Sequence, residues 1–118
     1  MFIKNIFIFA LVINKFKILQ YTNLKIMNMG YKVLATLDLP SVTGEQRDVF
    51  YEVLKKKHWS KIAGLTTSWK ILFNDNATRD QAISTLKNHL QQAKLESKIK
   101  KVEYAMQMDK QDVIISAL

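Results

Sequence analysis

An α+β fold is predicted for this chain by three observations, all made from Tyr31 onward. Apolar residues alternate with a period of two in some segments and recur with the helical period in others. The two kinds of segment follow in the order strand, helix, strand, strand, helix, strand, and turn or cap residues mark the joints. That order, βαββαβ, predicts a ferredoxin-like sandwich with an antiparallel sheet covered by two helices.

Tyr31 to Leu39, YKVLATLDL, sets Val33, Ala35 and Leu37 on one face and Leu34 and Thr36 on the other. This suits a central strand with partial cover on both sides, and Pro40 ends it. Thr43 followed by Gln46 three residues on has the form of a capping box. It opens a helix predicted from Gly44 to about Lys57, with Val49, Phe50, Val53 and Leu54 toward the sheet. Trp59 to Leu65 and Thr66 to Phe73 give two strands joined near Ala63-Gly64. Their tryptophans, Trp59 and Trp69, either fill the core or stack bases. Asn74-Asp75-Asn76 reads as a turn, and Asn76 or Thr78 caps a second helix running to about Glu96 with the stripe Ile83, Leu86, Leu90 and Ala93. Ile99 to Met108 is the last strand, its Met106 and Met108 filling core or interface gaps.

The domain so defined spans residues 29–108. Residues 109–118, DKQDVIISAL, add an apolar extension that in a dimer would pair with the partner's sheet edge. A domain this small gains stability from such pairing, so a homodimer is expected. Residues 1–28 do not share the pattern. Their run IFIFALVI, residues 6–13, is too short to span a bilayer. Three readings stay open for them: a translated upstream region with the start at Met27 or Met29, an extra strand or helix on the domain, or a signal or interfacial anchor.

The absence of cysteine excludes a disulfide framework, thiol catalysis and a thiolate zinc site. The net charge of +8 comes from 18 Lys and Arg against 10 Asp and Glu, and four of the lysines precede residue 31, where no acid occurs. Residues 31–118 therefore carry only +4, compatible with RNA or DNA contact through phosphates and equally with an ordinary basic surface. Lys55, Lys56 and Lys57 complement the carbonyls at a helix end or, with Lys61, offer phosphate contacts.

Asp38 is the leading chemical candidate. A carboxylate at the carboxyl end of the first strand can bind Mg²⁺ through oxygen, and two such residues facing across a dimer axis would bind it better. The alternative is that Asp38 caps the turn or helix that follows. Ser41 and Thr43 are candidate phosphate or loop contacts. His58 offers a proton donor, and two isolated histidines, His58 and His89, do not form a zinc site. No glycine-rich phosphate loop, nucleophile elbow or heptad run is present, and TTSWKILF lacks the aromatic pattern of an RNA-recognition motif.

Taken together, YKVLATLDLP, the helix through EVLKKKHW and the strand TTSWKILF resemble the Cas2-like family of small ferredoxin-like proteins, including its SinR-like relatives, over Met29 to Met108. Ser68 to Ile71, with Trp69, is similar to the serine-and-tryptophan third strand of the SinR-like branch. The resemblance implies a cytoplasmic homodimer with contacting sheets and, for nuclease members, a magnesium-binding acid at the end of the first strand, which falls on Asp38. It implies a nucleic-acid-associated protein with Mg²⁺-dependent endonuclease activity on RNA or DNA. The alternative is a non-catalytic dimeric module, such as a toxin-antitoxin component or an adaptor for a protein partner, with no membrane role. The family's arginine shortly after the aspartate has no counterpart, since the next arginine is Arg47, inside the helix.

Overall fold

The computed structural model describes residues 30–118, so the apolar run at residues 6–13 and the three readings of residues 1–28 lie outside the described residues. Six elements follow in the predicted order: β1 (Lys32–Asp38), α1 (Gly44–Lys56), β2 (Ser60–Lys61), β3 (Ser68–Leu72), α2 (Arg79–Ser97) and β4 (Glu103–Asp109). The strands form one four-stranded sheet in the order β2-β3-β1-β4, and every neighbouring pair is antiparallel. With two helices packed against each other, this is an α+β fold.

Strand alternation decides which side of the sheet is covered. Val33, Ala35 and Leu37 of β1 are buried with Trp69 and Ile71 of β3, while Thr36 and Asp38 are exposed. Phe50, Val53 and Leu54 from α1 and Leu86, Leu90 and Ala93 from α2 complete the core over that face. Each large apolar side chain so buried contributes about 1.5–3 kcal/mol, which gives both helices their reason to dock. Ala82 and Ala93 are fully buried on α2; their small side chains allow close approach. The stripe of α2 is thus Ala82, Leu86, Leu90, Ala93 and Ser97, with Ile83 only half-buried. Val49, expected on the inner face of α1, is 43% exposed and stands at the edge of the stripe.

Both helices start and stop in the same way. Thr43 and Gln46 form a capping box on α1, and Thr78 and Gln81 form one on α2, so Thr78 rather than Asn76 is the cap. After α1, His58 takes the left-handed conformation at φ 67°, with His58 N–H donating to Lys55 O and Trp59 N–H to Leu54 O. Lys98 does the same after α2 at φ 60°, with Ile99 N–H donating to Lys94 O. This double bond pattern satisfies carbonyls that a helix end leaves unpaired. It also explains two boundaries. Trp59 and Ile99 are buried as helix stops, so neither begins a strand, and β4 starts only at Glu103.

The strand predicted over Trp59 to Leu65 shrinks to two residues, because Leu65 N–H bonds back to Ile62 O and Gly64 sits at φ 80°. The β3 pairing extends slightly past its ends, through Leu37 N–H to Thr67 O and Phe73 N–H to Tyr31 O. Gly30 is buried beside that second bond; a Cβ there would overlap the carbonyl oxygens of Phe73 and Asn74.

Residues 110–118 form neither strand nor helix. The extension begins by turning onto its own sheet, where the buried Lys32 ammonium donates to Lys110 O at 2.8 Å and lies 3.5 Å from the Asp112 carboxylate. Beyond this Ile114, Ile115 and Leu118 are exposed.

Candidate functional site

Asp38 ends the central strand and is exposed there. Its carboxylate accepts no hydrogen bond and forms no ion pair among the described residues, so it does not cap the following turn or helix. That work is done by Thr43, whose hydroxyl accepts from Gln46 N–H at 3.1 Å while Gln46 Oε1 accepts from Thr43 N–H. Gln46 also donates through Nε2 to Lys98 O at 3.2 Å, which ties the start of α1 to the end of α2.

Two depressions meet at Asp38. One, of about 350 Å³, is lined by Asp38 together with Arg47 and Tyr51 of α1, Lys61 of β2, and Thr66 and Thr67 of the β2–β3 loop. Arg47 and Tyr51 are four residues apart on α1 and so share a helix face. The Lys61 ammonium lies 4.9 Å from the centroid of the Tyr51 ring, which itself meets Trp69 edge-on at 5.1 Å. Lys61 is therefore positioned by an aromatic face rather than a carboxylate. Thr67 is fixed by its carbonyl, which accepts from Leu37 N–H at 3.0 Å.

The second depression, of about 330 Å³, is lined by Thr36, Leu37, Asp38, Thr67, Glu103, Tyr104 and Ala105. Asp38 stands directly opposite Glu103 in the β1–β4 register. Like charges so placed repel, and Lys101 compensates: its ammonium is 2.8 Å from Glu103 Oε1. The hydrogen bond to Glu103 and that residue's charge raise the Lys101 pKa, with Asp38 adding a smaller contribution.

The other predicted residues are dispersed. Ser41, at φ 58°, borders a separate depression with Pro40, Val42, Gln46, Lys100 and Lys101. Lys55, Lys56 and Lys57 sit at the far end of α1, about 18 Å along its axis from Gly44 at 1.5 Å per residue. Lys55 is 3.8 Å from Glu52 there. Of the four lysines expected to act together, only Lys61 shares the depression with Asp38. His58 serves the helix end, and His89 accepts the indole N–H of Trp59 at Nδ1, 3.0 Å away. Partial burial, then Lys57, then His58, lowers the His89 pKa. Trp59 and Trp69 are both buried, so neither is available for stacking.

Sequence reasoning missed Arg47 as a site residue. The signal available was its spacing from Tyr51, but the partners Asp38, Lys61 and Thr66 come from other elements. No group of three or more His, Cys, Asp or Glu that could hold a metal occurs among the described residues. No helix among them is long and apolar enough to cross a membrane.

No protein-family model matches the chain, and no curated protein matches it. Among solved structures the chain is similar to that of protein SP2199 from Streptococcus pneumoniae, at 17% identity and a TM-score of 0.46, over 72% of this chain and 90% of that one. No family follows from a likeness at that level.

Proposed function

We propose that this chain is a nucleic-acid-associated protein of the ferredoxin-like class, acting as a homodimer, that grips phosphodiesters at the Asp38 end of its sheet. The observation that carries the reading is the presence of an unengaged Asp38 carboxylate with Arg47 and Lys61 in one depression, neither cation having a carboxylate within 4.0 Å among the described residues. Arg47 offers a planar fork and Lys61 a point charge, two complementary ways to hold phosphate oxygens. Thr66 and Thr67 add hydroxyl donors at the rim.

Magnesium fits this site only in part. Glu103 is engaged by Lys101, so Asp38 is the one free carboxylate among the described residues that line these depressions, and Mg²⁺ bound by one carboxylate needs phosphate oxygens and waters for the rest of its shell. Asp38 would hold an ion that arrives with the phosphodiester, and that ion would neutralise phosphate charge and orient water. Arg47 and Lys61 would fix the phosphate beside it.

The test is incubation of the full chain with labelled single-stranded RNA and duplex DNA, with Mg²⁺ or EDTA, alongside Asp38→Asn. Metal-dependent cutting lost in Asp38→Asn is the expected result for an endonuclease. Binding without cutting by a folded protein would establish the second reading, a non-catalytic binding or regulatory module. The exposed Ile114, Ile115 and Leu118 support that module, because an apolar extension suits pairing with a second copy or a protein partner.

A further inference from the structure

On the opposite flank of the helices from β2, α2 and the edge strand β4 enclose a second groove of about 380 Å³, lined by Lys87, Asn88, Gln91, Lys94, Val102 and Tyr104, with Leu90 beneath. Tyr104 stands opposite Leu37, which sets it on the helix-bearing side of the sheet, yet its position on the edge strand leaves it 43% exposed. A large ring half in solvent beside cations, in a domain whose two tryptophans are buried, needs a reason. Its neighbours supply one.

Lys87, Gln91 and Lys94 follow the helical spacing of one face, and Asn88 lies one step around. Among the described residues neither lysine has a carboxylate within 4.0 Å, and the Asn88 and Gln91 amides make no hydrogen bond. Gln92, facing elsewhere on the same helix, is by contrast tied to Glu96. The groove therefore combines two uncompensated positive charges with no acid, two free amides and a half-exposed aromatic residue. Lys87 and Lys94 are about 10 Å apart along the axis, so they flank the Asn88 and Gln91 amides between them, and Tyr104 lines the same groove from β4.

We infer that this groove binds a segment of single-stranded nucleic acid, with one base stacked on Tyr104, the Asn88 and Gln91 amides at its edge, and Lys87 and Lys94 on the flanking phosphates. Aromatic stacking with a basic track is how unpaired strands are held without strong sequence preference. Amides that can both donate and accept suit any base edge. The inference rests on the nucleic-acid reading proposed above and adds to it the strandedness and a contact surface on α2 that adjoins the Asp38–Glu103 depression through Tyr104.

Binding of a fluorescein-labelled single-stranded oligonucleotide to the full chain, followed by anisotropy over a salt series, tests it. Tyr104→Ala should weaken binding about 5- to 160-fold, the range that corresponds to losing one stacked base, while Tyr104→Phe keeps the ring and stays within about twofold. Lys87→Gln with Lys94→Gln should lower the slope of log affinity against log salt by about 1 to 2. If Tyr104→Ala binds like the parent while Arg47→Gln and Lys61→Gln weaken binding, the groove is overturned and the nucleic-acid reading stands. A preference for duplex that Tyr104→Ala does not alter also overturns the groove. No binding by the folded parent overturns both. Thermal melts of each variant confirm folding, and the Phe variant separates a lost ring from a disturbed edge strand.

Discussion

Replacing His89 by leucine should expose how the Trp59–His89 hydrogen bond couples the end of α1 to α2. Trp59 is only 2% exposed, so without the Nδ1 acceptor at 3.0 Å its indole N–H has little access to water. A buried donor stranded in this way costs about 1–3 kcal/mol. Acid should do the same reversibly, because protonated His89 presents a second donor to the indole. The folded pKa of His89 lies below its ordinary value of 6.5. The unfolded chain therefore takes up the proton first. The stabilisation is full above about pH 6.5 and is lost as pH falls through the folded value. Urea unfolding at pH 7.5 and 5.0 measures both effects, and staying at or above pH 5 limits carboxylate titration. The parent should lose more stability between the two conditions than His89→Leu, because only the parent carries a group whose folded pKa is lowered. Trp59→Phe should retain the part of that difference that comes from burial, Lys57 and His58, the causes that lower the His89 pKa. Equal losses in parent and His89→Leu would refute the hydrogen-bond argument.

Three further outcomes follow from the backbone and the caps. Gly30→Ala should cost about 1–3 kcal/mol in a urea melt, since the added Cβ meets the Phe73 and Asn74 carbonyls rather than a movable side chain. His58→Gly should stabilise the chain by about 0.5–1 kcal/mol and raise the melting temperature, because relief of left-handed strain exceeds the entropy glycine adds to the unfolded state; a lower melting temperature would count against it. Gln46→Ala should cost about 0.5 kcal/mol more than Gln81→Ala: both lose a capping box, but only Gln46 also bonds Lys98 O.

What the sequence made legible was local. The alternation in KVLATLD and SWKIL, the Thr43–Gln46 box and the spacing of Leu86, Leu90 and Ala93 each depend on residues within a few positions, and each reappears in the fold. Both helices end within one residue of the expected Lys57 and Glu96, but their left-handed stops carry His58 and Lys98 where glycine is usual. Trp59 and Ile99, expected as strand starts, belong to those stops, and β4 begins only at Glu103.

The site was legible only where it is local too. Asp38 could be picked out because a carboxylate closes an otherwise apolar strand, but what surrounds it comes from four other segments: Arg47 on α1, Lys61 on β2, Thr66 in the following loop, and Glu103 at the start of β4. The Lys55–Lys57 triplet looked like the stronger basic feature because its charges are adjacent in sequence. Adjacent lysines on a helix fan out around its axis at about 100° per residue, so they cannot converge on one phosphate as Arg47 and Lys61 can from two elements. Tyr104 was hidden for the same kind of reason. Its period in EYAMQMD marks it as inward-facing, and only the strand order, which makes β4 an edge, leaves its ring open beside Lys87 and Lys94.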